Sequence, residues 1–174
     1  ETPDTNPKSK ADQAKGSSAF RSSAGLAIDS ADKLTYIRDA VDQGYRFDQV
    51  ASTYGALQDT FLATNLTVAD AVQDPQVASE LRTAAALAGY KAAIARQASL
   101  LVGAAEQGGF TAEGSYNQLV AASSDEASQE AIFSSIASTD RKGEVRDALT
   151  TEARVGLEAA RDAALDGGAD ADVT

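Results

Sequence analysis

The sequence predicts an all-α protein, an elongated helical bundle with long antiparallel helices. Three observations carry that prediction. Alanine supplies 37 of the 174 residues, and alanine is the best helix former because it loses no side-chain entropy in a helix. Apolar residues recur every three or four positions over most of the length, and no stretch alternates as a strand does. Aromatic residues make up only 6% of the chain, too few to fill a thick β-sandwich. Because most apolar positions are Ala, each buries little area, so long helices packed closely along their length are needed to build a core.

The elements follow in order. Residues 1–16 hold two of the three prolines and several charges without apolar periodicity, which predicts a disordered N-terminal arm. A helical domain is expected over 17–166 and a disordered Gly- and Asp-rich tail over 167–174. Phe20, Ala24, Ala27, Ala31, Leu34, Ile37 and Val41 step by three or four and mark one buried face. Phe47, Val50, Tyr54, Leu57 and Phe61 mark a second face, out of phase with the first. A break is expected at Gly44, where a positive φ is available without steric cost. Residues 65–73 read as a loop with a short helical turn. Asp74 followed by Pro75 is an N-cap with Pro at the first helical position, and Gly108 and Gly109 end that helix. Its span of 75–107, at about 1.5 Å per residue, gives a rod of roughly 50 Å. Thr111 is expected to cap the next helix, which carries Tyr116, Leu119, Val120, Ala127, Ala131, Ile132 and Ile136, with a kink and restart at residues 123–126. A short amphipathic stretch covers 140–149, and Thr150 or Thr151 caps a last helix over 152–165. Five, six or seven helices fit this pattern, depending on the break at Gly44.

Composition excludes several functions. The chain has no His and no Cys, so neither a Ser–His nor a Cys–His nucleophile is available. Zinc held by His or Cys is excluded on the same ground, and the Glu-x-x-His pattern of helical di-metal sites lacks its His. No carboxylate pair stands in a setting that would raise a pKa for acid catalysis. The expectation is a domain that is not an enzyme and that uses no cofactor and no metal. A net charge of −11 and a pI near 4.3 oppose binding to nucleic-acid phosphates and to anionic lipid. No apolar run reaches the length of a membrane span, and no signal peptide is recognisable. The chain begins at Glu1 rather than Met, as a piece excised from a membrane-anchored parent would.

The nine arginines carry the remaining chemistry. Most stand in charged stretches, where a solvated ion pair is the expected role. Arg96 differs, because it lies in the middle of the 75–107 helix among small residues at helical spacing: Gly89, Ala92, Ala93, Ser99, Leu100 and Gly103. A guanidinium with room beside it presents a planar fork that matches carboxylate, nitrate or phosphate oxygens. Arg38 follows Leu34 and Ile37 beside the first buried stripe, and Arg146 follows Val145 in the same way. Arg96, Arg38 and Arg146 are therefore the candidate ligand-binding residues, and their convergence from three helices would form an anion pocket.

The stretch ALAGYKAAIARQASLLVGAA at residues 86–105 resembles the central helix of the nitrate- and nitrite-sensing domain of bacterial sensor histidine kinases, many of them actinobacterial. The loop at 107–113, the segment at 116–141 and a closing helix at 150–165 extend that resemblance. It covers residues 75–165 and, more loosely, 25–65. The Gln-x-Glu-Arg-like run of the family's first helix is missing. Arg38, in LTYIRDA at residues 34–40, stands in the comparable region. The resemblance implies an extracytoplasmic, all-helical sensor that binds a small oxyanion through Arg side chains and relays a helix shift across the plasma membrane. It also implies action as a homodimer. The alternative is a ligand-free helical module that senses or assembles through a protein partner.

Overall fold

The fold is described from a computed structural model covering residues 18–44, 47–111 and 114–168. Six helices are present among these residues, and no strands: α1 (Ser18–Asp42), α2 (Phe47–Ala71), α3 (Pro75–Gln107), α4 (Ser115–Ile136), α5 (Thr139–Leu149) and α6 (Glu152–Gly167). The predicted arm at 1–16 lies outside the described residues. So do positions 169–174 of the predicted tail, whereas Gly167 still belongs to α6.

α3 is the central element. Its buried positions include Ala78, Ala85, Ala86, Gly89, Tyr90, Ala93, Gln97, Leu100, Leu101 and Ala104, which repeat at helical spacing. It packs lengthwise against α2 on one side and α4 on the other, with α1 laid on α2 and α6 touching α3. Leu100 and Leu101 meet Leu119 and Ala122 of α4 and Ala164 of α6. Near the other end of α3, Ala86 meets Phe133 and Ala137, with Val145 of α5 against them. Gly89 brings α4 close: a Cβ there would stand 2.6 Å from Oε1 of Gln129. The Gln129 side chain thus occupies the space that a larger residue at position 89 would take.

The helix ends match the sequence in most places. Gly44 adopts φ +72° after α1, so the expected break is a real one. The Asp74 carboxylate accepts from the backbone N–H groups of Gln76 and Val77, and Gly108 closes α3 in the left-handed region. Thr151 caps α6 by accepting from the N–H of Arg154.

Three expectations are corrected. Residues 65–71 are helical, not a loop: α2 runs on to Ala71. Ala69 is fully buried, and this buried contact together with the absence of Pro between residues 65 and 74 keeps the helix going. α4 continues through residues 123–126 without a kink, because Glu126 in that stretch is buried and paired rather than solvated. Thr111 does not cap α4. Its hydroxyl lies 2.9 Å from the Gln107 side-chain oxygen, and the N-cap is Gly114, with φ +78°.

Candidate functional site

Arg96 projects from the middle of α3 and joins three helices. Its Nη2 donates to Asp59 on α2 at 2.9 Å, and its Nη1 lies 3.8 Å from a carboxylate oxygen of Asp125 on α4. A cavity of about 510 Å³ opens beside it, walled by α2, α3 and α4. Ser52, Tyr54, Gln58, Ser99 and Gln118 supply polar groups to its lining, and Val50, Leu100 and several Ala supply apolar ones.

The room beside the guanidinium comes from α2. Of the small α3 residues expected to provide it, only Ser99 and Leu100 line the cavity; Ala93 and Gly103 are buried, and Gly89 faces Gln129. The α2 residue opposite Arg96 is Gly55. A Cβ built there would stand 3.6 Å from Nη2 and 3.7 Å from Nε. Gly55 thus backs the Nε–Nη2 side of the guanidinium at ordinary contact distance for a methyl group, and Nη2 already donates to Asp59. A planar oxyanion engages an arginine through two such N–H groups, so binding here requires Asp59 to give way.

The ionic tie is weak enough to be exchanged. The Arg96 and Asp59 side chains are 31% and 65% exposed. Ion pairs at such exposure contribute about 0–1 kcal/mol, so Asp59 is a displaceable partner of Arg96.

The three candidate arginines do not share one cavity. Arg146, on α5, lines a separate cleft of about 370 Å³ with Tyr90, Glu130, Lys142 and Arg154. Arg38 is exposed on α1 and lines neither cavity.

Sequence reasoning missed a buried polar cluster. Glu126 of α4 is only 4% exposed and is paired with Arg154 and Arg161, both of α6. Gln97 of α3, fully buried, donates to the same carboxylate at 2.6 Å and to the Ala122 carbonyl at 3.2 Å. Arg154 Nε adds a 2.8 Å contact to Glu158. Arg154 and Arg161 were expected in solvated pairs, yet their side chains are only 10% and 19% exposed. The available signal was their seven-residue spacing, which puts both on the face of α6 that also carries Leu165. Two atoms of the cluster, Gln97 Oε1 and Arg154 Nη1, are buried without a hydrogen-bond partner.

Among the described residues no group of His, Cys, Asp and Glu is arranged to hold a metal ion, and no helix is long and apolar enough to cross a membrane.

These features define an all-α domain with a small, arginine-edged cavity between its helices. The chain belongs to the nitrate and nitrite sensing family, whose model matches residues 3–174. The match takes in nearly the whole sequence, well beyond the 75–165 stretch that carries the plainest resemblance. No curated protein and no solved structure matches the chain.

Proposed function

We propose that this domain senses nitrate or a similar small oxyanion by holding it on Arg96 in the cavity between α2, α3 and α4. The observation that carries the reading is the half-buried Arg96 guanidinium on the wall of the cavity between α2, α3 and α4, held among the described residues only by exposed carboxylates, in a chain of the nitrate- and nitrite-sensing family. Of the three candidate arginines, the reading assigns the oxyanion to Arg96 alone.

The mechanism is an exchange of partners. In the ligand-free domain Arg96 ties α3 to Asp59 of α2 and lies near Asp125 of α4. An arriving oxyanion competes with the Asp59 carboxylate for the guanidinium N–H groups. The tie between α2 and α3 loosens, and a second packing of α2 gains population in proportion to the ligand's preference for it. In a homodimeric, membrane-anchored parent such as a sensor histidine kinase, with this domain outside the cytoplasm, the shift would pass along the helices to the membrane. The domain itself binds and relays, and carries no catalytic role.

Size limits the affinity. Nitrate's few heavy atoms, at a ceiling of about 1.5 kcal/mol each, give a Kd no tighter than tens of micromolar. The test is a calorimetric titration of the purified domain with sodium nitrate, using sodium chloride as control. Nitrate is expected to bind the parent chain, and Arg96→Ala is expected to abolish binding. Gly55→Val, which fills the space beside Nε and Nη2 while keeping the arginine, should weaken binding about tenfold or more, the loss of charge-assisted hydrogen bonds. Unchanged nitrate affinity in a folded Arg96→Ala protein rejects Arg96 as the site, and no nitrate binding by the parent chain leaves the ligand-free interaction module in its place.

A further inference from the structure

The cleft that contains Arg146 has a different character from the Arg96 cavity. Its floor is buried: Tyr90 and Phe133 lie at 6% and 3% exposure, and Arg154 brings a nine-tenths buried side chain to it. Nη1 of that side chain has no hydrogen-bond partner. A buried guanidinium N–H left unmatched is costly, but this atom has no accessible surface and offers nothing to a ligand in the cleft.

Charge of both signs lines the cleft. Lys142 and Arg146 come from α5, and Glu130 comes from α4. None of the three is in any ion pair among the described residues. Unlike charges on two walls of one cleft are therefore not neutralising each other. Between them lies an apolar strip of Phe133, Val145 and Leu149.

A simple anion is poorly matched to this arrangement. Glu130 would repel it, as would Glu158, which also lines the cleft. Carboxylates also act on Tyr90, whose hydroxyl is held above the ordinary phenol value by burial first and then by Glu130 and Glu126, with Arg154 opposing. A simple cation meets the converse problem at Lys142 and Arg146.

We propose that this cleft is a second ligand site, for a zwitterion with an apolar side chain: a free α-amino acid. Its carboxylate is received by Arg146 and Lys142. Its ammonium is received by Glu130, and its side chain lies on Phe133, Val145 and Leu149. A volume of about 370 Å³ accommodates a molecule of that size. The site is distinct from the Arg96 cavity, with which it shares no lining residue, and it does not depend on nitrate being the ligand there.

The experiment is a calorimetric titration of the full chain with L-leucine. Two half-molecules, sodium acetate and isoamylammonium chloride, are titrated in parallel, together with sodium nitrate. L-leucine is expected to bind with one site per chain, and each half-molecule at least tenfold more weakly. Glu130→Gln and Arg146→Gln, both at exposed positions that the core does not need, should each weaken L-leucine about tenfold and leave nitrate binding unchanged. Arg96→Ala should leave L-leucine binding unchanged, so failure of either site is read separately. No binding of L-leucine at millimolar concentration overturns the proposal. So does acetate binding as tightly as L-leucine, or L-leucine affinity that neither substitution alters.

Discussion

At the residue scale, two arginine environments do different work. Arg96 is half-buried and held by an exposed, weak partner, which leaves it free to exchange. Arg154 and Arg161 close over a carboxylate that is itself buried, which makes them costly to disturb. Removing one member of a buried charge cluster leaves the others uncompensated and costs about 3 kcal/mol or more. Glu126→Leu is therefore expected to lower unfolding free energy by about that amount in urea denaturation, while exposed Asp59→Asn changes it by less than about 1 kcal/mol. Equal, small effects of the two substitutions would refute this division. Arg96 stood out in the sequence because a guanidinium interrupts the alanine-rich middle of its helix. Its partner did not: Asp59 stands 37 positions away, and periodicity within one helix does not say which residue of the next helix faces it. Glu126 was missed for the same reason, since the run SSDEAS looks solvent-facing until the arginines of α6 are laid against it.

At the element scale, local chemistry decided most boundaries. Asp74 with Pro75 and the glycine pair at 108 and 109 fix α3 through side-chain and backbone capping that sequence displays openly. Asp74→Ala removes both N-cap hydrogen bonds and is expected to cost about 1 kcal/mol, read as a lowered thermal midpoint. A midpoint unchanged by the substitution would mean that packing alone sets the start of α3. Where sequence reading failed, tertiary contact had overridden local signals. The stretch after Asn65 resembles a loop with a short helical turn, but Ala69 is fully buried and α2 runs on through it to Ala71. Thr111 resembles a cap, yet Gly114 takes that place by adopting a positive φ.

At the scale of the whole molecule, alanine content and anion sensing are linked. Small side chains let α2, α3 and α4 lie close enough for one guanidinium to reach carboxylates on both neighbours. The net charge of −11 does not prevent anion binding, because the Debye length is about 10 Å at 0.1 M salt and the immediate surroundings of Arg96 dominate. The nearest negative charge there is Asp59, and in this account it is the oxyanion's competitor for Arg96. The most direct test is the nitrate Kd of Asp59→Asn by calorimetry. Removing one like charge a few ångströms from the bound anion should tighten nitrate about tenfold, because the fork no longer has to give up a carboxylate. Nitrate affinity that is unchanged or weaker in a folded Asp59→Asn protein would contradict the exchange of partners at Arg96.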